Sequence, residues 1–252
     1  MKNDNFLIIA HRGESYDAPE NTLASINLAW QRNVDAVEVD IQITKDEKIV
    51  IIHDKSTLRT GSIYKRISTS KYNQLLNIDI GKFKGKEWEN ERIPLLEEVI
   101  DSIPENKILF VEIKSDNRIV TPLQKLLDRK KINSAQIKFI GFNIATMKLV
   151  KEAFPENESY WIIEGKNYKS TSQLLKTIEK CKELKFDGLD LEEEKYLNED
   201  VIHTVKNSGL KIFTWTVDDP ARTKQLYFDG IDGITTNRAS WLKAKLTEEK
   251  II

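Results

Sequence analysis

The chain has 252 residues, 40% of them hydrophobic, enough to bury roughly three quarters of its unfolded surface. A net charge of −1 and a pI near 6.4 exclude a general attraction to nucleic acid or anionic membrane, so any positive potential must be local. A single cysteine, Cys181, excludes an intrachain disulfide, and no apolar stretch approaches the length of a membrane span.

In chain order, the apolar run 6–10 predicts a buried strand that ends in His11-Arg12-Gly13. It is too short for a signal-peptide core, so a cytoplasmic location is expected. Side chains alternate along a strand, which puts His11 on the face of Leu7 and Ile9. Histidine and arginine side by side at a strand end, followed by glycine, suit anion binding and proton transfer. Asn21 is expected to cap a helix over 22–31, with Leu23, Ile26, Leu28, Ala29 and Trp30 as its buried face. Asn33 suits the left-handed end of that helix.

Residues 35–43 alternate, with Ala36, Glu38, Asp40 and Gln42 on one face and Val37, Val39, Ile41 and Ile43 on the other. Inward acids are costly unless something positive meets them. The turn at 44–48 is far shorter than the dozen or so residues a parallel crossover takes, so strand 49–52 must fold back antiparallel. That hairpin should return His53 to a position opposite Glu38.

Residues 55–92 fit neither a strand nor one clean helix. A short helix over 71–78 is expected, and Gly81, Phe83, Gly85 and Trp88 suggest a compact excursion. The segment reads as an inserted cap, too small for an independent core. Beyond Pro94, strands at 108–113, 137–142, 160–163, 187–191, 211–217 and 231–235 alternate with helices. The helices are predicted at 95–103, 120–129, 145–153, 173–184, 199–206, 220–227 and 238–245. Setting the hairpin's return strand aside, eight strands are each followed by a helix. The prediction is an α/β fold, a closed (β/α)₈ TIM barrel forming one domain over 1–252 with an insertion at about 55–92. An open doubly wound sheet is the alternative.

Chemistry in such barrels sits at the carboxyl ends of the strands. Those ends carry His11 and Arg12, Glu38 and Asp40, and Glu112 and Lys114, with His53 brought back by the hairpin. Three carboxylates close together repel unless a cation intervenes. One divalent ion with oxygen ligands, Mg²⁺ or Ca²⁺, is the expected occupant, and zinc is disfavoured because no His or Cys pair has its spacing. Arg12 and Lys114 then remain for a phosphate, with His11 and His53 as acid and base. Cys181 reads as an inert thiol and His203 as a surface residue.

On these residues the sequence resembles the glycerophosphodiester phosphodiesterase family. The matching words are HRGESYDAPENT, VDAVEVDIQITKDEKIVIIHD, RIPLLEEV, FVEIK, TWTVDD and DGIDGITTN, and they run from end to end. The resemblance implies a barrel with a segment inserted after the second histidine. It also implies hydrolysis of a small-molecule glycerophosphodiester to sn-glycerol 3-phosphate and an alcohol. Carried over by position, Glu38, Asp40 and Glu112 match the metal ligands, His11 and His53 the general acid/base pair, and Arg12 and Lys114 the phosphate contacts. Trp215 matches a tryptophan near the glycerol end. Three departures stand out. Asn33 and Glu47 replace usual glycines, and Asn237 replaces a usual aspartate, which is expected to alter the loop beside the site. The nearest alternative is a lysophospholipase D or a phospholipase C-like enzyme on lipid substrates, which would need an apolar rim. Phe83 and Trp88 are its hints, and they are expected to pack internally. A non-catalytic binder on the same scaffold would not need both histidines and all three acids.

Overall fold

Strand alternation and helical period divide this chain into two repeating units, and the computed structural model, which describes residues 6–252, shows how they join. The order is β1 (Leu7–His11), α1 (Leu23–Gln31), β2 (Ala36–Ile43), β3 (Ile49–Ile51), α2 (Leu58–Gly61), α3 (Leu96–Asp101) and β4 (Ile108–Ile113). Then come α4 (Val120–Lys130), β5 (Ile137–Gly141), α5 (Ile144–Ala153), β6 (Ser159–Ile163), α6 (Thr171–Glu183) and β7 (Gly188–Glu192). The last elements are α7 (Glu199–Asn207), β8 (Lys211–Trp215), α8 (Pro220–Phe228), β9 (Gly233–Thr236) and α9 (Ala239–Glu248).

The strands run β1-β9-β8-β7-β6-β5-β4-β2, every neighbouring pair parallel, and β1 pairs with β2 to close the ring. This is the (β/α)₈ barrel that the alternation predicts, and the open sheet is excluded. β3 lies outside the ring, antiparallel to β2 with Ile41 opposite Ile51. The outward residues, among them Val37, Val39 and Ile41, pack against the helices. Inside, Phe110, Tyr160 and Phe213 fill the lower barrel with ring centroids 4.7–6.0 Å apart. These aromatic rings separate the cavity at the carboxyl-end mouth from the opposite end of the barrel.

A smaller core lies beneath the 55–92 segment, where Ile67, Leu75, Ile78 and Ile80 pack on Val50 and Ile52. These contacts explain why the helix expected over 71–78 is reduced to one 3₁₀ turn, Tyr72–Gln74. The Tyr72 N–H bonds to Asp46 Oδ1 at 2.9 Å, and the chain then winds so that Leu75, Ile78 and Ile80 can cover β3. Phe83 does not pack internally as expected, being 43% exposed, while Trp88 is half-buried.

α1 begins one residue later than expected. Thr22 is its N-cap, accepting from the Ser25 N–H at 3.2 Å, while Asn21 sits in the left-handed region at φ 58° and turns its amide toward β2. Asn33 and Glu47, where glycine is usual, have φ of 57° and 60°, so both adopt the left-handed geometry a glycine would supply. Gly13, at φ +81°, admits no side chain, because a Cβ there would lie 2.5 Å from Ser25 Oγ. Cys181 and His203 are as expected. The thiol is buried and pushed up to about 12 by burial, and the histidine is exposed. Among the described residues no helix is long and apolar enough to cross a membrane.

Candidate active site

Strand register assembles the mouth. His11, the last residue of β1, lies beside Glu38 on β2, and Asp40 lies beside Glu112 on β4. All three acids are almost fully buried, at 2%, 0% and 8% exposure, and each offers an oxygen within 4.8 Å of the others. β3 ends at Ile51, the Ile52 N–H still donates to the Asp40 carbonyl at 2.9 Å, and His53 follows at the rim.

Two cations brace the acids from either side. Arg12 Nε is 3.1 Å from Asp40 Oδ2, and Arg12 Nη1 donates to Glu20 at 2.8 Å. Lys114 Nζ is 2.6 Å from Glu112 and 3.3 Å from Asp40. Burial disfavours ionised Asp40, but Arg12 and Lys114 outweigh it and hold the carboxyl at about 2. Glu38 and Glu112 go the other way. Burial first, and then the charge on Asp40, raise Glu38 well above the usual range and push Glu112 up to about 8. Two positive side chains therefore do not neutralise three acids here.

Among the described residues Glu38 Oε1 has no donor, while Asp40 Oδ1 and Glu112 Oε1 meet only the Lys114 ammonium, at 3.3 and 2.6 Å. Three buried carboxylate oxygens converging on one point, with a single ammonium shared between two of them, are a donor set able to hold one hard cation.

Each histidine is held through Nδ1. His11 Nδ1 lies 2.7 Å from Asn237 Oδ1, while Asn237 Nδ2 donates to Asp218 Oδ2 at 2.8 Å. Asp218 thereby orients the amide so that its oxygen meets the ring. His11 must donate from Nδ1, leaving Nε2 with its lone pair. Burial, followed by the charge of Arg12, lowers its pKa. His53 Nδ1 lies 2.8 Å from Asp54 Oδ1, and Asp54 is held in turn by Arg59 Nε at 2.7 Å.

A cavity of about 210 Å³ opens among these groups. His11, Arg12, Glu38, His53, Glu112 and Lys114 line one side, with Ile140, Phe142, Ile162 and Trp215 opposite. The volume falls below the roughly 300–1,000 Å³ of sites for drug-sized ligands, so it suits a small polar molecule better than a lipid. Neither Phe83 nor Trp88 lines it. Of the residues singled out in the sequence, both histidines, Arg12, Lys114, Trp215, Glu38 and Glu112 line this cavity, and Asp40 lies directly behind them.

The model of the glycerophosphoryl diester phosphodiesterase family matches residues 11–240, from the first histidine to the start of α9. The chain belongs to that family. It is 31% identical over 233 residues to the Bacillus subtilis protein YhdW, covering 91% of this chain and 93% of that one. It is 29% identical over 237 residues to the glycerophosphodiester phosphodiesterase of Caldanaerobacter subterraneus, covering 92% and 93%. An Oleispira antarctica phosphodiesterase, solved in complex with the product sn-glycerol-3-phosphate, superposes with a TM-score of 0.87 at 26% identity, covering 96% of each chain. The chain is accordingly an enzyme, a phosphodiesterase of the glycerophosphodiester class.

In this member of the family, the substitution at Asn237 lands on a histidine partner rather than on a loop alone. Sequence reasoning missed three groups at the mouth. Asn21 donates to Asp40 Oδ2 at 2.8 Å and accepts from the Asp40 N–H at 3.1 Å. Glu20 joins Arg12 to Arg59. Asp190, on the inner face of β7, lines the cavity without a partner for its Oδ1. Strand alternation alone could have signalled Asp190; the other two lie in a loop whose path has no periodic signature.

Proposed function

We propose that this enzyme hydrolyses glycerophosphodiesters to sn-glycerol 3-phosphate and an alcohol, using a site in one barrel domain with residues 55–92 as an insertion. Glu38, Asp40 and Glu112 are the proposed ligands of one divalent cation, Mg²⁺ or Ca²⁺. The observation that carries the reading is the convergence of three buried carboxylates with two Nδ1-anchored histidines on one cavity. The product held by the Oleispira antarctica relative supports the same substrate class.

When bound, the ion would supply positive charge and Lewis acidity to the phosphoryl oxygens. Arg12 and Lys114, with side chains about 18% and 19% exposed, flank the acids and are the proposed phosphate contacts. His11, neutral with a free Nε2, takes the proton of the attacking hydroxyl as its oxygen bonds to phosphorus. His53 faces the Asp54 carboxylate, which compensates a protonated ring, and gives its proton to the departing alkoxide as the second phosphorus–oxygen bond breaks. Trp215, edge-on to Phe142 at 5.7 Å, forms the proposed wall for the glycerol carbons.

The test is turnover of glycerophosphocholine by the purified protein. Chelation should abolish it and added Mg²⁺ or Ca²⁺ restore it, and His11→Ala and His53→Ala should each lower kcat by roughly 10²–10⁴-fold. Activity that survives chelation removes the cation from the reading. Either histidine variant retaining wild-type kcat removes that histidine's role.

A further inference from the structure

The reaction just described leaves one ionisable group of the mouth unused. Asp190 is 3% exposed and lines the cavity, yet its Oδ1 meets no donor, and among the described residues it forms no ion pair. Burial alone pushes its carboxyl up to about 8. An interior carboxyl without partners costs stability that a leucine at the same place would not. Such a group in a binding cavity is explained if its partner arrives with the ligand.

Its place in the barrel indicates which part of the ligand that is. Around the ring from β2, four steps in either direction lead to β7, through β1, β9 and β8 or through β4, β5 and β6. Asp190 therefore stands diametrically across the mouth from Glu38 and Asp40. The wall between is largely apolar, with Ile140, Ile162 and Trp215. The cavity thus has a charged end, an apolar middle and a hydrogen-bonding group at the far side. A glycerol phosphoryl unit has the same sequence of parts: phosphate, three-carbon chain, terminal hydroxyl.

We propose that Asp190 receives the terminal hydroxyl of the substrate's glycerol unit and so selects glycerol diesters over diesters that lack it. This rests on the phosphodiester-hydrolysis reading above. At neutral pH the carboxyl is largely protonated, so its O–H donates to the substrate oxygen while its second oxygen accepts the substrate's O–H.

The test compares glycerophosphocholine with its analogue built on propane-1,2-diol, which lacks only the terminal hydroxyl, for the wild type, Asp190→Asn and Asp190→Leu. The wild type should prefer the glycerol diester by about tenfold in kcat/KM. Asp190→Leu should lose that preference through a raised KM for the glycerol diester, so that it turns over the two diesters with similar kcat/KM. Asp190→Asn, which keeps a donor and an acceptor, should retain most of it. Asp190→Leu should also melt at a higher temperature than the wild type, and Asp190→Ala serves as the apolar variant if leucine does not fit. No preference in the wild type, or an unchanged preference in the apolar variant, overturns the proposal. A wild type that turns over neither diester overturns the hydrolysis reading, and this inference with it.

Discussion

The Glu38 and Glu112 carboxyls stay raised above the usual range only as long as nothing more positive than Arg12 and Lys114 sits between the acids. Binding of the proposed cation should therefore expel protons, with affinity rising with pH up to about 8, where Glu112 ionises. Titration calorimetry with Mg²⁺ or Ca²⁺ at neutral pH, in two buffers of different ionisation enthalpy, should show net proton release. Stability runs the opposite way in the chelated protein. The Glu112 carboxyl is raised from 4.5 to about 8, so its contribution is complete below 4.5 and disappears as pH climbs toward 8. Thermal melts of the chelated protein should accordingly fall across that window, and saturating cation should abolish the fall. Asp40, held at about 2 against an ordinary 3.8, titrates well below it.

At the level of elements, the turn from β1 into α1 sets where Arg12 stands. Gly13 abuts the first turn of α1, the Asn21 N–H bonds to the Arg12 carbonyl at 3.0 Å, and Ser25 Oγ donates to the same carbonyl at 2.9 Å. Gly13→Ala should cost more than about 1 kcal/mol in denaturant unfolding, because both the positive φ and the missing space oppose a methyl group. It should also lower kcat by displacing Arg12. This stretch marks the border of what the sequence made legible. The strands were readable because each carries its period within itself, and so were the inward acids on β2 and β4. The hairpin was readable because its turn is too short for anything else. Asn21 as a cap was wrong by one residue, since Asp40, its true partner, comes from a neighbouring strand and leaves no local trace. The helix expected at 71–78 failed for a similar reason: Leu75 and Ile78 answer to Val50 and Ile52 on β3, not to their own neighbours.

For the molecule as a whole, the decisive contact is the closure of first strand on last. β1 pairs with β9, placing Leu7 beside Gly233, and α9 packs over β1 with Leu242 and Leu246 in the core. Leu242→Ala should lower unfolding free energy by roughly 2–5 kcal/mol in denaturant titration. The same closure is what brings Asn237 to His11, joining groups 226 positions apart.

That seam also dictates timing during synthesis. On a growing polypeptide His11 emerges 226 residues ahead of Asn237, so the imidazole has no amide to fix its tautomer until synthesis has passed that asparagine. Products terminated before Asn237 should therefore be silent toward phosphodiesters, however many of their strands have already formed.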